Sequence, residues 1–476
     1  MESRRNDESQ QIHSTIPSSV QIVSIGDESN NFEFTFHEEK FSKILSQVPQ
    51  QYKISVLSVV GAFRTGKSFL LSWILRYLKH QNTNRSNTNG NVSNRSKPWY
   101  HSFDKLDSKS GFHWRGGSKR DTTGIWMWSE PFLIEANSPG NSSEEPIALL
   151  LLDTQGMFDN DTTMKLTSSI FGLSTLFSSI QIYNVVGKIQ EDHLQQLALF
   201  SEFGRVAAMK NNESTHKPFQ RIKFLVRDWQ HFDSDKSGPI EPLEKEMSVY
   251  LKDVLAEKRD QELQGTRDQI ANCFDEISCY MLTHPGLAVT DKKYDGNTKK
   301  VDPAFLRLLD RFCKKMLSEN CLEPKKFHGR ALKVAEFTNY VKEYVRLFQD
   351  GENFPDATCM LKAMATANNT NAIAEALTLY GNKMSNEVGG VCTDDEPSDS
   401  TDTHDESVAY IDPSDLEEIH KSSFDSALNL YNDRANFGPD DLIAIGREVL
   451  IMEIEKQWET YKLLNESNKA SVSSLA

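Results

Sequence analysis

The sequence predicts an α/β domain with a mostly parallel sheet, followed by an all-α three-helix bundle. Two observations support this prediction. In roughly the first 347 residues, apolar strand patterns alternate with helical patterns, which is typical of a parallel sheet with helical crossovers. Beyond that point, three helical patterns follow one another with no strand between them. A chain of 476 residues is long enough to form both parts.

Three buried-strand patterns define the expected sheet. Ile54–Val60 is apolar and rich in β-branched residues, and a helical pattern follows it from Phe69 to Leu78. Ile147–Leu152 and Ile222–Val226 are the second and third strand patterns, with a helical segment at Glu191–Phe203 between them. Since parallel strands need long crossovers, helices are expected to connect them.

The bundle prediction rests on apolar residues that recur at steps of four and three, which give each helix one apolar stripe. The stripes are Ile373, Leu377, Tyr380 and Met384; Phe424, Leu428, Tyr431 and Ala435; and Ile454, Trp458 and Tyr461. Ser414 with Glu417 predicts a capping box for the second helix, and Gly438-Pro439-Asp440 separates it from the third. Such stripes indicate bundle core and imply no cofactor box.

Changes in composition set the predicted boundaries. The Asn- and Ser-rich stretch His80–Lys97 is predicted to be a surface loop. The predicted organisation is a disordered tail at 1–18, the α/β domain at 19–347, a linker at 348–357, the bundle at 358–465 with an acidic insert at 394–406, and a tail at 466–476.

The bulk composition excludes several functional classes. The formal net charge of −15 argues against nucleic-acid binding, which needs clustered Lys and Arg. The six cysteines show no metal-ligand spacing, so they are expected to be reduced. No run of roughly 18 apolar residues is present, so no bilayer span is expected.

A phosphate-binding loop is predicted at Gly61–Ser68, which fits GxxxxGK[ST] between a strand and a helix. Its backbone N–H groups and the helix N-terminus would face phosphates, Lys67 would reach the β- and γ-phosphates, and the Ser68 hydroxyl would ligate Mg²⁺. The alternative, a chance match on a glycine turn, does not account for that context. The predicted nucleotide-contacting residues here are Arg64, Thr65, Gly66, Lys67, Ser68 and Phe69.

Two further segments complete the predicted metal site. Asp153 leaves the second strand in Asp153-Thr154-Gln155-Gly156 and is placed to hold Mg²⁺, although many strand-end aspartates are only helix caps. The glycine-rich stretch Gly111–Gly124 has the character of a switch that orders around a γ-phosphate, with Thr122 as a second hydroxyl ligand. Taken alone, that stretch would equally suit an ordinary exposed loop.

Base recognition is predicted from Arg227-Asp228, which follow the third strand. No Asn-Lys-x-Asp motif is present. One carboxylate can accept from both N1–H and the 2-amino group of guanine, whereas adenine has no such donor pair, so Asp228 predicts GTP over ATP. The alternative is a surface Arg/Asp pair without function.

These motifs, together with His284-Pro285-Gly286-Leu287 and the bundle, resemble the dynamin-related GTPases of the atlastin family and, more distantly, the guanylate-binding proteins. The resemblance implies a P-loop GTPase domain joined by a linker to a three-helix bundle. It implies Arg64 as an arginine finger in cis, catalytic roles for Lys67 and Thr122, and nucleotide contacts from Gln155 and Val289. It also implies GTP-driven homodimerisation through GTPase domains, and fusion of endoplasmic reticulum membranes from their cytosolic face.

The chain departs from this resemblance at its end. Family members continue into two membrane-spanning segments and an amphipathic tail, whereas this sequence stops at Ala476. We expect either a truncated form or a relative without its own anchor. The second case favours a soluble, cytosolic, GTP-gated interaction protein that regulates anchored relatives. A third hypothesis, an ATPase or nucleoside kinase, rests on the generic phosphate loop alone.

Overall fold

The computed structural model describes residues 16–26, 34–86, 98–106, 111–114, 122–135, 145–157, 164–198, 217, 219–317, 322–327, 329–350, 357–388 and 410–475. The predicted tail at 1–18 lies almost entirely outside the described residues, as does the acidic insert at 394–406. The linker core at 351–356 is also outside them, whereas residues 348–350 belong to a helix rather than to a linker.

The first part of the chain forms one sheet. The strands are β1 (Ser19–Ile25), β2 (Phe34–Phe36), β3 (Lys53–Gly61), β4 (Ile125–Trp128), β5 (Phe132–Ile134), β6 (Ile147–Thr154), β7 (Ile180–Val186), β8 (Phe219–Arg227) and β9 (Phe274–Met281), with two short strands beyond it, β10 (Lys326–Phe327) and β11 (Arg330–Ala331). The order is β2-β1-β4-β6-β3-β7-β8-β9, and β5 pairs with β6. The strands β6, β3, β7, β8 and β9 run parallel, which confirms the α/β prediction.

The three predicted strands are confirmed as β3, β6 and β8, all within the parallel part. Every residue of β6 and all but the first residue of β3 are buried, as expected for strands covered on both faces. Because both faces are covered, β3 and β6 are mostly apolar along their length, and this pattern allowed them to be predicted from the sequence.

Helices alternate with these strands and then dominate. They are α1 (Glu38–Leu45), α2 (Lys67–Ser86), α3 (Met164–Phe177), α4 (Glu191–Ala198), α5 (Ile240–Leu255), α6 (Gln261–Cys273), α7 (Leu287–Thr290), α8 (Pro303–Met316), α9 (Val334–Asp350), α10 (Ala357–Val388), α11 (Pro413–Arg434) and α12 (Asp440–Leu475). Helix α2 extends to Ser86, so the prediction of a loop from His80 is wrong for residues 80–86; residues 87–97 lie outside the described residues. None of the described helices is both long and apolar enough to cross a membrane.

The chain divides into two compact units. The sheet unit holds the described residues of Met1–Gln196, Phe219–Arg267 and Phe274–Lys326, and the helical unit holds those of Leu197–Pro218, Asp268–Cys273 and Phe327–Ala476. The main transition thus lies at Phe327, earlier than the predicted boundary at residue 347, because α9 packs with the helices that follow it. Compact units need not coincide with independently folding domains, so the domain boundaries stay a prediction.

The helical unit contains the predicted bundle core. Stripe residues of α10, α11 and α12 meet in one cluster that includes Tyr380, Met384, Tyr431, Ala435 and Ile454. The capping-box prediction is wrong, because α11 begins at Pro413 and its N-cap is Asp412, whose carboxylate accepts from the backbone N–H of Ser414. Proline at the first helical position after an Asp cap is a favourable start for a helix.

Candidate nucleotide-binding site

A cavity of about 300 Å³ lies in the sheet unit, where the carboxyl ends of the parallel strands meet. Ligand sites of open α/β sheets lie at this edge, since loops after successive strands converge there. The predicted site residues that line it are Arg64, Thr65, Gly66, Lys67, Ser68, Phe69, Thr122, Arg227, Asp228 and Val289. Asp153 and Gln155 are not part of this lining; they lie buried behind it, at the end of β6.

The phosphate-binding loop wraps tightly between β3 and α2. Its backbone has positive φ at Gly61 (149°), Arg64 (64°) and Gly66 (79°). A Cβ on Gly61 would lie 2.2 Å from the carbonyl oxygen of Asn184, so only glycine fits there. The Asn184 side chain, on β7, donates to the Thr65 carbonyl at 2.9 Å and holds the loop against the sheet.

Lys67 is buried inside this loop. Only 7% of the residue is exposed, and its Nζ donates to the carbonyls of Gly61 at 3.2 Å and Ala62 at 3.0 Å. Lys67 is also the first residue of α2, so its ammonium group and the helix N-terminus both contribute positive potential to the cavity. This combination suits the phosphates of a nucleotide.

The three predicted metal ligands come together. The Ser68 hydroxyl donates to Asp153 Oδ2 at 2.5 Å, and the Ser68 and Thr122 hydroxyl oxygens are 3.3 Å apart. Asp153 is only 2% exposed. Two hydroxyls and a carboxylate are the oxygen donors that Mg²⁺ prefers, so the residues present fit a magnesium ion.

Arg227 and Asp228 occupy distinct positions at the end of β8. Arg227 is 4% exposed, with its guanidinium 5.5 Å from the ring centroid of Phe305, and burial lowers its pKa while the neighbouring Asp228 opposes that shift. The alternative of a surface Arg/Asp pair is therefore wrong for Arg227. Asp228 lines the cavity with a φ of 60°, an unfavourable backbone conformation of the kind that clusters at functional sites.

Comparison with known proteins identifies the family. The guanylate-binding protein N-terminal domain matches residues 31–325. Atlastin-1 of Macaca fascicularis is 35% identical over 453 residues, which cover 94% of this chain and 72% of that protein. Atlastin-2 of Homo sapiens is 36% identical over 450 residues (94% and 69%), and Atlastin of Drosophila melanogaster is 34% identical over 456 residues (94% and 76%).

The chain belongs to the atlastin family. It is therefore a dynamin-like GTPase with a guanylate-binding-protein-type domain, and it hydrolyses GTP. The family assignment confirms the resemblance drawn from the motifs. It also argues against the ATPase and nucleoside-kinase hypotheses, which rested on the phosphate loop alone.

In this atlastin-family chain, Gln155 connects the end of β6 to the predicted switch. Its side-chain oxygen accepts from the backbone N–H of Gly124 at 2.9 Å, and its own N–H donates to the Gly124 carbonyl at 2.8 Å. Gln155 thereby anchors the segment that carries Thr122. Its contact with nucleotide stays a prediction, and residues 115–121 of the predicted switch lie outside the described residues.

Arg64 and Val289 both line the cavity, from segments far apart in the chain. Arg64 is exposed, and its guanidinium carbon is 5.8 Å from the ring centroid of Phe63. Val289 comes from the short helix α7, after the strand-end segment that contains His284. The catalytic role of Arg64 and the nucleotide contact of Val289 both stay predictions.

Several cavity residues were not predicted from the sequence. Trp114, His284 and Tyr294 line the cavity, and Asn184 supports the phosphate loop. Asn184 left a usable signal, because a lone asparagine inside the apolar strand Ile180–Val186 is unusual unless it has a buried partner. Trp114 lies within the predicted switch Gly111–Gly124 but was not singled out there. Tyr294 left no signal, since exposed and cavity-lining aromatic residues look alike in a sequence.

Proposed function

We propose that this cavity binds GTP with Mg²⁺, and that GTP-driven pairing of two GTPase units tethers and fuses endoplasmic reticulum membranes from their cytosolic face. The observation that carries the nucleotide assignment is that Lys67, Ser68, Thr122 and Asp228 line one cavity, while buried Asp153 accepts a hydrogen bond from Ser68. Membership of the atlastin family supports the fusion part of the proposal.

The residues divide the recognition of GTP between them. Lys67 and the backbone N–H groups of the loop bind the phosphates, and the Asp228 carboxylate accepts from N1–H and the 2-amino group of guanine. Ser68, Thr122 and Asp153 would hold Mg²⁺, which would supply positive charge against the β- and γ-phosphates. The buried Arg227 guanidinium lies close to the loop, since a Cβ on Gly66 would be 3.4 Å from its Nη1.

Hydrolysis needs charge stabilisation as the phosphoryl group leaves. Arg64 stands at the cavity rim on a backbone turned by its positive φ, and we assign it the role of a cis arginine finger. Thr122 completes the site from the predicted switch segment. Arginine fingers raise hydrolysis rates by roughly 10³–10⁵ in known GTPases.

Nucleotide-dependent pairing tests this proposal. Light scattering of the full chain should give a monomer with GDP and a dimer with a non-hydrolysable GTP analogue or with GDP and aluminium fluoride. Lys67→Ala, which removes the phosphate-binding ammonium, should stay monomeric under all conditions. A monomer with every nucleotide, in a chain that still hydrolyses GTP, would refute pairing.

Membrane action is tested separately from pairing. The chain is attached through a C-terminal histidine tag to vesicles that carry a nickel-chelating lipid, and GTP-dependent lipid mixing is measured. Lipid mixing that Lys67→Ala abolishes supports fusion. Pairing without lipid mixing, combined with inhibition of an anchored atlastin, would instead support the GTP-gated regulator.

A further inference from the structure

Three aromatic rings connect otherwise separate parts of the cavity wall. Trp114 and Tyr294 both line the cavity, and their ring centroids are 5.8 Å apart at an interplanar angle of 31°. Trp114 also meets Phe69 edge-on, with centroids 5.4 Å apart at 86°. Phe69 lies directly after Lys67 and Ser68 in the first turn of α2, so the rings run from the phosphate side of the cavity to Tyr294.

Tyr294 is held in place by its own loop. Its hydroxyl donates to the Asn297 carbonyl at 3.0 Å, and its backbone N–H donates to the Asp291 carbonyl at 3.0 Å. Burial and, secondarily, the charge of Asp295 raise the pKa of the phenol to about 12, so it keeps the proton that it donates. The ring therefore has a fixed position relative to the loop.

That loop follows β9, which pairs with β8. The Trp229 N–H donates to the Leu282 carbonyl at 3.0 Å, so the chain leaving β9 starts beside Asp228, the proposed base reader. Val289, Thr290 and Asp291 line the cavity immediately before Tyr294. Past Tyr294, the loop is fixed to the segment before the predicted switch, because the Leu106 N–H donates to the Gly296 carbonyl at 2.8 Å and the Thr298 N–H donates to the Asp104 carbonyl at 3.1 Å.

Trp114 stands at the other end of the contact, on the predicted switch segment that contains Thr122. The Ser72 hydroxyl donates to the Phe112 carbonyl at 3.1 Å, which ties the start of this segment to α2. Thr122 is the hydroxyl 3.3 Å from Ser68 in the proposed metal site. Trp114 also contacts Phe69, which directly follows Ser68, so the rings connect the loop of Tyr294 to the Ser68–Thr122 hydroxyl pair.

We propose that Trp114 and Tyr294 are positioning residues that, through Phe69, couple the position of the bound base to the Ser68–Thr122 hydroxyl pair. The inference rests on the proposed assignment of this cavity as the GTP site. An aromatic pair of this kind contributes enough beyond buried area to change a rate by roughly 3- to 10-fold. The pair thus favours hydrolysis of a nucleotide whose base is bound correctly by Asp228.

The test compares GTP with inosine triphosphate, which lacks the 2-amino group that Asp228 is proposed to bind. In the parent chain, inosine triphosphate should show a higher KM and also a lower kcat, because its base is seated less firmly. In Tyr294→Ala, kcat for GTP should fall by roughly 3- to 10-fold to the value for inosine triphosphate. Adding Trp114→Ala to Tyr294→Ala should leave kcat just as independent of the base, because the coupling is already lost.

Three matched variants separate positioning from folding. Tyr294→Phe keeps the ring and loses only the bond to Asn297, so kcat should stay within about 2-fold of the parent. Tyr294→Leu removes the ring while retaining apolar volume, and should behave as Tyr294→Ala. Tyr100→Ala removes another Trp–Tyr contact, with centroids 5.7 Å apart on Trp99 and outside the cavity, and should leave the dependence of kcat on the base unchanged.

The inference and the proposed site fail in different ways. A kcat that still depends on the base in both Tyr294→Ala and Tyr294→Leu would overturn the inference. Retention of GTP binding by Lys67→Ala would instead refute the proposed site. Thermal melting of each variant shows whether a loss of kcat reflects unfolding. For Tyr294→Ala and Tyr294→Leu, we expect GDP affinity within about 2-fold of the parent.

Discussion

At the phosphate-binding end of the sheet, the buried polar residues include charged side chains beside a cavity, whereas those of the helical bundle include neutral asparagines that donate to backbone carbonyls. Lys67 and Asp153 are 7% and 2% exposed. Arg64 and Asp228, which line the same cavity, have positive φ. In the bundle, Asn368 donates to the Arg434 carbonyl at 2.9 Å, and Asn465 donates to the Ile411 carbonyl at 2.8 Å.

This difference distinguishes polar side chains that stabilise the fold from polar side chains that are placed to bind a ligand. An asparagine that satisfies a backbone carbonyl removes the cost of burying that carbonyl. Burying a lysine, an aspartate and an arginine beside a cavity raises the free-energy cost of folding, and strained backbone raises it further. Such costs are expected at a binding site, where interactions with the ligand offset them. Substitutions should therefore reduce activity at the site and stability in the bundle.

Removal of the Arg64 guanidinium should give the largest effect. Arg64→Ala is expected to lower kcat for GTP by roughly 10³–10⁵ while GTP affinity changes by less than about 3-fold, since the charge it stabilises develops only during reaction. Single-turnover hydrolysis and fluorescent-nucleotide binding measure the two quantities. Arg64→Asn is the matched control, because asparagine tolerates the observed φ of 64°. Parent-like turnover in both variants would remove the arginine-finger assignment.

Substitution of the base reader should give an intermediate effect. Asp228→Asn replaces two acceptor oxygens with one acceptor and one donor, while asparagine still tolerates the φ of 60°. We expect GTP affinity to fall by roughly 10²-fold and xanthosine triphosphate to become the preferred ligand, because its 2-oxo group accepts from the new amide.

Competition binding with both triphosphates measures this exchange of preference. Asp235→Asn is the control, since Asp235 is exposed, accepts from the Ser237 N–H at 2.9 Å and does not line the cavity. An Asp228→Asn chain that still prefers GTP would show that the carboxylate does not read guanine.

A close contact in the bundle should give the smallest effect, and on stability alone. A Cβ on Gly446 of α12 would lie 2.3 Å from the hydroxyl oxygen of Tyr431 on α11. Gly446→Ala should therefore destabilise the bundle by about 1–3 kcal/mol, the usual cost of overpacking, while GTP affinity stays unchanged. Amide hydrogen exchange of α11 and α12 measures the local loss.

Tyr431→Phe provides the control for this clash, because it removes the overlapping oxygen together with its hydrogen bond to the Ile443 carbonyl. In that background, Gly446→Ala should cost less than in the parent. Equal costs in the two backgrounds would contradict steric overlap with the hydroxyl.

Much of the fold could be predicted because its signals are local. Strands β3 and β6 are mostly apolar, β8 contains the apolar run Phe224–Val226, and the bundle stripes repeat at helical spacing. Two errors were also local. Helix α2 continues into polar residues through Ser86 although they resemble a loop, and Asp412-Pro413 was a stronger helix start than Ser414 with Glu417.

The sequence by itself determined the α/β class, the bundle stripes, the phosphate loop and the family, because each depends on residue types at short, regular spacing. Only the tertiary structure brought Asn184 to Thr65, paired Trp114 with Tyr294 and placed Gln155 on Gly124. Such contacts join segments far apart in the chain, and their partners depend on strand order and loop path. Those are consequences of packing the whole sheet rather than of any local pattern.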